Sequence, residues 1–223
     1  MNFKLFIQAI LKFALGVILI GVLIFLPAGT IEFFNGWLFM GVLFVPMFLA
    51  GIVMMIKSPD LLKKRLNAKE KENEQKQVVA LSGLMFIVGF IVAGFNYKYG
   101  WIIMPKTVVI ISTIIFLVGY ALYAEVLREN QYLSRTIEVQ ENQKVIDTGL
   151  YGIVRHPMYM ATILLFLAMP LVLGSIISFI IFLVYPFIIA KRIKNEEEVL
   201  EKELDGYIEY KKKVKYKMIP FIW

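Results

Sequence analysis

The chain has 223 residues, of which 59% are hydrophobic and 18% charged, and it contains no cysteine. A soluble domain is about 45–50% apolar, so the composition favours a membrane protein, and the absence of cysteine excludes disulfides, thiol catalysis and cysteine-ligated metal sites. The formal net charge of +7 indicates basic loops against anionic lipid. It does not indicate a nucleic-acid partner, because no basic patch is interleaved with aromatic residues.

Long apolar runs without charge predict an all-α, polytopic integral membrane bundle. A helix needs about 20 mostly apolar residues, at a rise of about 1.5 Å each, to cross the hydrocarbon of a bilayer. A chain of this size has too few polar helices to enclose so many apolar ones in a soluble core. The first run is interpreted as a helix and not as a signal peptide, since further spans follow it. The five runs are Phe13–Ile31, Phe33–Ile56, Val78–Tyr97, Thr107–Ala124 and Pro157–Ala190.

The last of these runs is too long for one crossing. As a single helix it would measure about 51 Å. Pro170 and the pair Gly174-Ser175 lie in its middle, and both interrupt helices. We therefore expect a hairpin of two short legs, roughly 158–173 and 175–190, which brings the total to about six membrane segments.

The distribution of lysine and arginine predicts the orientation. Basic residues crowd the segments 57–76 and 128–155 and the tail from Lys191, whereas the alternate loops hold few or none. The positive-inside rule then places both termini, these two loops and the tail in the cytoplasm. The loop 57–77 is typical of a solvated charged helix or linker, and no chemistry is assigned to it.

The tail itself predicts an amphipathic helix at the cytoplasmic surface. Leu200, Leu204, Tyr207 and Ile208 recur at helical spacing on one face, and the opposite face is charged. This helix is expected to end before Ile219-Pro220.

A first cluster of polar residues precedes the hairpin and holds the only histidine of the chain, His156. Arg155 and His156 stand where a helix enters the membrane, with Pro157 at a first-turn position. The free N–H groups and positive dipole of a helix start, together with an arginine, suit a carboxylate or a phosphate. Tyr151 and Tyr159 add aromatic faces and hydroxyls. Plain anchoring of a helix end at the interface explains the same residue types.

A second cluster follows the hairpin, at residues 191–198. Arg192 and Glu196 are separated by four positions and share one helix face. The hairpin is expected to return this cluster to the level of Arg155 and His156. A solvated, charged helix start is the alternative. The spacing alone predicts an ionic, aromatic-lined pocket at the cytoplasmic edge of the bundle and leaves its ligand open.

At these positions the sequence resembles the isoprenylcysteine carboxyl methyltransferases, a family within a wider group of membrane phospholipid N-methyltransferases and small-thiol S-methyltransferases. The resemblance covers about residues 136–221, and the first four helices share only their apolar character. The matching motifs are Gly149-Leu150-Tyr151-x-x-x-Arg155-His156-Pro157-Met158-Tyr159, then Arg192-x-x-x-Glu196-Glu197-x-x-Leu200, Tyr207-x-x-Tyr210 and Ile219-Pro220.

The resemblance implies methyl transfer that depends on S-adenosyl-L-methionine, with a hydrophobic acceptor entering from the bilayer. Residues 1–127 would be a four-helix scaffold, and residues 128–223 would form the cofactor-binding and catalytic region. Arg192 would face the acceptor, with Arg155 and Glu197 as further catalytic candidates, and no metal is expected. The implied cofactor-binding residues are Gln143, Lys144, Val145, Ile146, Tyr151, His156, Pro157, Met158, Tyr159 and Glu196.

Such chemistry requires alignment of donor and acceptor more than a strong base, because a carboxylate or thiolate acceptor is already nucleophilic. An amine or thiol acceptor would need deprotonation, for which His156 is the only side chain titrating near neutral pH. The sequence Leu204-Asp205-Gly206-Tyr207 is one residue shorter than the usual family pattern, which leaves prenylated-protein, phospholipid and small-thiol acceptors open.

Two other classes of function are compatible with the membrane topology. One is a non-enzymatic membrane protein on the same scaffold. The other is a small transporter, for which Lys12 and Glu125 are the intramembrane ionisable candidates. A soluble-type nucleotide-binding methyltransferase is excluded, because no glycine-rich fingerprint is present.

Overall fold

The computed structural model describes residues 3–67, 73–134 and 136–223, and within these ranges all regular secondary structure is helical. A 3-10 turn, Gly149–Gly152, precedes the sixth α-helix. The α-helices are α1 Phe3–Ala28, α2 Phe34–Lys57, α3 Pro59–Leu66, α4 Asn73–Tyr99, α5 Lys106–Glu129, α6 Pro157–Val172, α7 Ile176–Phe182, α8 Tyr185–Glu203 and α9 Tyr207–Lys213.

Five helical stretches in the described part are long and apolar enough to cross a membrane. They are α1, α2, α4, α5 and the stretch Ile176–Glu203, while α6 is apolar but shorter. Large apolar side chains on α1 point away from the protein, as shown by Leu11, Leu15 and Ile18, which are 64%, 66% and 63% exposed. Exposed apolar surface of this extent is stable only against lipid. The prediction of a multi-pass helical membrane protein is confirmed.

An aromatic cluster joins the helices at the centre of the bundle. Phe39 of α2 contacts Phe90 of α4 and Phe116 of α5, with ring centroids 5.5 and 6.1 Å apart. Phe182 of α7 lies 6.1 Å from Phe90. All four side chains are buried, so α2, α4, α5 and α7 share one core.

Glycines of α4 allow two neighbouring segments to approach closely. A methyl group at Gly94 would lie 2.5 Å from the backbone oxygen of Ile24 in α1. A methyl group at Gly89 would lie 2.3 Å from the ring of Phe182. Ser178 of α7 donates a hydrogen bond of 2.8 Å to the Gly89 carbonyl. Close backbone packing of this kind is typical of helices in membranes, where small residues line the interfaces.

Helices α6 and α8 run antiparallel after a turn at residues 173–175. Gly174 takes a left-handed φ of 77°, which glycine adopts without steric cost. The Tyr185 hydroxyl donates to Oγ1 of Thr162 at 3.0 Å, and its ring packs on Phe166 with centroids 4.7 Å apart. Pro170, expected near the break, lies inside the last turns of α6. The returning leg continues to Glu203, well beyond the predicted end at 190.

The loop 57–77 is not simply solvated, as far as the structure describes it, and residues 68–72 lie outside the described part. Leu61 and Leu62 of α3 are buried, and Leu61 packs in one cluster with Val126 of α5 and Leu133 of the segment that follows it. Lys12 is one of the two ionisable residues considered for a transport function. Its Nζ donates to the Leu66 carbonyl at the end of α3, at 2.5 Å. Glu125, the other candidate, pairs with Arg128 one turn away.

The tail is not one continuous amphipathic helix. Helix α8 ends at Glu203, and α9 begins after Gly206, whose φ of 82° is left-handed. Leu204 and Tyr207 are buried together, whereas Ile208, predicted on the same face, is 49% exposed. The turn at Gly206 reorients α9 and accounts for this difference.

Candidate functional site

The two polar clusters meet at one end of the bundle, in the first turn of α6 and the middle of α8. The Tyr159 hydroxyl accepts a hydrogen bond from Nε of Arg192 at 2.9 Å. It donates to Oε2 of Glu196 at 2.5 Å. The Tyr159 side chain is buried, and its hydroxyl bridges a partly buried cation and a partly buried anion.

A cleft opens beside this junction. Its empty volume is about 840 Å³, which includes space open to solvent. Pro157 and Glu197 are not among its lining residues. The predicted site residues that line it are Gln143, Lys144, Val145, Ile146, Tyr151, Arg155, His156, Met158, Tyr159, Arg192 and Glu196.

Several lining residues were not predicted as site residues. Leu200, Tyr207 and Tyr210 carried a signal, because they belong to the motifs of the resemblance. The segment after α5 has no periodicity and contributes no residue to those motifs, although the resemblance spans part of it. The additional lining residues are Asn130, Tyr132, Leu133, Ser134, Thr136, Ile137, Glu138, Leu200, Leu204, Tyr207 and Tyr210.

Helix α3 forms hydrogen bonds to the segment after α5, which lines one part of the cleft. Nζ of Lys64 donates to Oε1 of Gln140 at 2.5 Å, and Nη1 of Arg65 donates to the Ser134 carbonyl at 3.1 Å. Gln140 in turn donates through Nε2 to the Tyr132 carbonyl at 2.6 Å. The charged loop between α2 and α4 therefore shapes the cleft, although no function was assigned to it.

Glu197 forms a buried ionic centre beneath the cleft. Its Oε1 accepts from Nε of Arg155 at 2.8 Å and lies 3.3 Å from Nε2 of His156. Its Oε2 lies 3.2 Å from Nζ of Lys217 and 3.8 Å from Nζ of Lys211. Arg155, His156 and Glu197 are all buried. Paired and hydrogen-bonded, these charges tolerate burial that an isolated charge would not.

The same arginine and histidine hold the segment after α9. Nη1 of Arg155 donates to the carbonyls of Val214 and Lys215 at 2.7 and 2.8 Å. The backbone N–H groups of Arg155 and His156 donate to the carbonyls of Tyr216 and Lys217 at 2.9 and 2.8 Å. The start of α6 and residues 214–217 thus form one hydrogen-bonded unit.

The 3-10 turn supplies the opposite side of the cleft. The Tyr210 hydroxyl donates to the Tyr151 carbonyl at 2.7 Å, and the Tyr151 hydroxyl accepts from Nδ2 of Asn130 at 2.9 Å. At the surface, Lys213 donates to Asp147 at 2.7 Å and lowers the pKa of that carboxyl through this hydrogen bond. Helix α9 is therefore tied to the turn through Tyr151 and to the residues just before it through Asp147.

Tyr207 lines the cleft, and its hydroxyl is buried and has no hydrogen-bond partner in the described part of the chain. Burial raises the pKa of Tyr207, so the hydroxyl stays protonated and remains a donor. Buried polar groups are nearly always paired in native proteins, and a polar molecule in the cleft would supply the partner. Within the described residues no group of three or more His, Asp or Glu is placed to hold a metal ion.

Comparison with known proteins gives two similarities. A segment of the chain is 28% identical over 91 residues to the Delta(14)-sterol reductase TM7SF2 of Mus musculus, which covers 40% of this chain and 22% of that protein. The matched part thus spans about a fifth of the relative's length. Residues 96–202 match the model of the isoprenylcysteine carboxyl methyltransferase (ICMT) family. This match confirms the resemblance that the motifs indicated and identifies residues 96–202 with the isoprenylcysteine carboxyl methyltransferase family.

Proposed function

We propose that the protein is a membrane methyltransferase that uses S-adenosyl-L-methionine and transfers a methyl group to a hydrophobic or lipid-linked acceptor, most like an isoprenylcysteine carboxyl O-methyltransferase. The observation that carries this proposal is the junction of Tyr159, Arg192 and Glu196 at the edge of a polar cleft. An ionic site at the end of apolar helices can receive a polar cofactor from the aqueous side and a hydrophobic acceptor from the bilayer.

The residues present fit the cofactor. The cleft offers a carboxylate for amino or hydroxyl groups in Glu196, an unpartnered hydroxyl donor in Tyr207, and aromatic side chains for a purine ring. Bound there, S-adenosyl-L-methionine supplies an activated methyl group on a sulfonium sulfur. We assign its binding to the lining residues Gln143, Lys144, Val145, Ile146, Tyr151, His156, Met158, Tyr159 and Glu196.

Arg192 is proposed to hold the acceptor. If the acceptor is a carboxylate, its oxygen forms a bond to the methyl carbon while the carbon–sulfur bond breaks, and the opposite charges of donor and acceptor disappear. The protein then needs to align the two groups. It also needs to offset the free energy lost when the carboxylate leaves water, which the positive charge of Arg192 can do. The Tyr159 hydroxyl fixes the Arg192 guanidinium through Nε and so contributes to this alignment.

Arg155, Glu197 and Pro157 are proposed to position the site and not to touch the reacting atoms. Arg155 and Glu197 bond to each other, and Arg155 also bonds to the backbone at residues 214–215. Pro157 begins α6, where its fixed φ suits the first helical position. Its place after His156 sets the point at which the helix starts.

The organisation around the site completes the proposal. We propose that α6 crosses the membrane together with α7–α8 as a helical hairpin, giving six segments, and that residues 1–127 are scaffold to a working region at 128–223. The cleft and both termini would face the cytoplasm, where the positive-inside rule places the basic loops. The cofactor could then reach the cleft from that side.

The experiment uses detergent-purified protein with radiolabelled S-adenosyl-L-methionine and three acceptors: an N-acetylated S-prenyl cysteine, a phosphatidylethanolamine and a long-chain thiol. Wild type is expected to bind the cofactor and to methylate the prenyl cysteine fastest. Folded protein that binds no cofactor would refute the proposal. Cofactor binding without transfer to any acceptor would favour a non-enzymatic protein on the same scaffold.

Tyr159→Phe tests the junction itself, with Tyr185→Phe as the matched control. Loss of the Tyr159 hydroxyl removes hydrogen bonds to two charged side chains, each worth about 1.5–3 kcal/mol, so we expect the cofactor Kd or the acceptor KM to rise at least about tenfold. Tyr185 bonds to Thr162 on the same pair of helices but does not line the cleft, and its variant should bind normally. Equal losses in both variants would contradict a role specific to the cleft.

The likeness to a sterol reductase gives a second candidate, the reduction of a hydrophobic substrate. It predicts that a hydride donor, such as a reduced nicotinamide cofactor, binds in the cleft and that S-adenosyl-L-methionine does not bind. The same purified protein, titrated with both cofactors, separates the two candidates.

A further inference from the structure

Gln75 lies at the start of α4, in the part predicted to be scaffold, and it is 1% exposed. Its Oε1 accepts a hydrogen bond of 3.0 Å from Nη1 of Arg192. Helix α4 therefore reaches the guanidinium that faces the cleft, from a region to which the sequence assigned no chemistry.

The contact with Arg192 determines which way the amide of Gln75 points. Guanidinium N–H groups only donate, so the oxygen of the amide must face Arg192 and the nitrogen must face away. Nε2 of Gln75 is buried and has no hydrogen-bond partner among the residues that the structure describes. A primary amide nitrogen offers two N–H donors, and leaving both unpaired is costly.

Gln75 contacts Arg192, the residue proposed to hold the acceptor, and it does not line the cleft proposed for the cofactor. Gln75 is not one of the residues that line the cleft, whereas Arg192 is. The Tyr159 hydroxyl contacts Nε of Arg192 and Gln75 contacts Nη1. Arg192 thus links Gln75 to the Tyr159 hydroxyl, and Gln75 contacts the guanidinium from outside the set of residues that line the cleft.

We propose that Gln75 is a further acceptor-binding residue, whose Nε2 donates a hydrogen bond to an oxygen of the methyl acceptor beside Arg192. This inference rests on the proposed function for the identity of the acceptor site. Arg192 supplies the positive charge and Gln75 supplies neutral donors, so the site accepts an oxygen anion and disfavours an ammonium group. Gln75 would then contribute both to the affinity for the acceptor and to the selection of an oxygen anion over an ammonium group.

The substitution Gln75→Glu tests this directly, because it retains the oxygen that faces Arg192 and replaces the N–H₂ group by a second oxygen. We expect the Kd of the N-acetylated S-prenyl cysteine to rise at least tenfold, since two anionic groups would meet where a donor stood. The Kd of S-adenosyl-L-methionine should change less than twofold. Gln77→Glu is the matched control, as Gln77 is an exposed residue of the same helix, and it should leave both Kd values unchanged.

Gln75→Leu completes the series, because it removes both the donor and the oxygen that accepts from Arg192 without adding charge. For this variant the Kd of the N-acetylated S-prenyl cysteine is expected to rise about three- to tenfold. The methyl ester of the same prenyl cysteine should bind weakly, and equally so, to all variants. An unchanged acceptor Kd in Gln75→Glu, or no acceptor binding in wild type, would overturn the inference. Both readouts are binding constants, so failure of methyl transfer, which would refute the proposed function, is seen separately.

Discussion

Glu196 and Glu197 are neighbours in the sequence but have different environments in the structure. Glu196 lines the cleft and accepts from the Tyr159 hydroxyl. Glu197 lies beneath the cleft and is buried against Arg155 and His156. On a helix, adjacent positions point about 100° apart, so one carboxylate can serve a ligand while the next holds the protein together.

This difference predicts opposite effects for the same substitution. Glu197→Gln leaves the buried Arg155 without its counter-charge, a change that typically costs about 3–5 kcal/mol. We expect a Tm lower by several degrees in detergent. Glu196→Gln should keep the Tm within about a degree or two and weaken cofactor binding at least tenfold.

Thermal unfolding and isothermal titration of the two purified variants provide the measurement. If Glu197→Gln proved as stable as wild type, the ionic centre would not stabilise the site. If Glu196→Gln bound the cofactor normally, its assignment to the cleft chemistry would be wrong.

At the scale of residues, the sequence predicted some of the side chains that line the cleft. The charged and aromatic residues of the two clusters were found because they flank the apolar hairpin, which returns the chain to the same level. Gln75 was not, because a glutamine at the start of a helix looks like an ordinary solvated residue. Ser134 and Thr136 were missed since an irregular segment carries no periodicity from which to place its side chains.

Among the elements, α4 has contacts on several sides. It packs against α1 through Gly94 and against α7 through Gly89, and it carries Gln75 to the site. In a bilayer, such close packing replaces the hydrophobic driving force that operates in water.

Gly94→Ala should therefore destabilise the bundle. The added methyl group would lie 2.5 Å from the Ile24 carbonyl oxygen, and the two helices would have to separate at a cost of about 1–3 kcal/mol. Gly83→Ala is the control on the same helix, since no atom lies within 4 Å of a methyl group there. The Tm of the two variants in detergent is the measurement, and equal values would show that the α1–α4 contact can adjust.

The long helices were predictable because lipid imposes a length and a composition on them. Charge-free runs predicted α1, α2, α4 and α5, although α1 begins ten residues before its predicted run, at Phe3, and continues through Lys4 and Lys12. The break at Gly206 was missed because Leu200, Leu204 and Tyr207 fit a helical period regardless of the turn between them. The burial of Leu61 was missed because its partners, Val126, Leu133 and Tyr151, lie far away in the sequence.

For the whole molecule, the orientation of the bundle is open to a direct test. The chain contains no cysteine, so single cysteines can be introduced without a background. Glu32→Cys lies in the loop between α1 and α2, and Asp205→Cys lies between α8 and α9, both at exposed positions.

We expect a membrane-impermeant maleimide to label Glu32→Cys in intact cells and Asp205→Cys only after lysis. The reverse pattern would contradict a cytoplasmic cleft. Labelling of both positions from the same side would contradict the number of crossings between them.

The hydrogen bonds between residues 214–217 and the start of α6 have a consequence for the order of assembly. Chains are synthesised from the N-terminus, so α1 to α8 leave the ribosome before the carbonyls of Val214 and Lys215 that bind Arg155. Until then Arg155 lacks two backbone acceptors and Glu197 lacks Lys217. It follows that the ionic centre at the start of α6 is completed only by the last part of the chain to be synthesised, after α1 to α8.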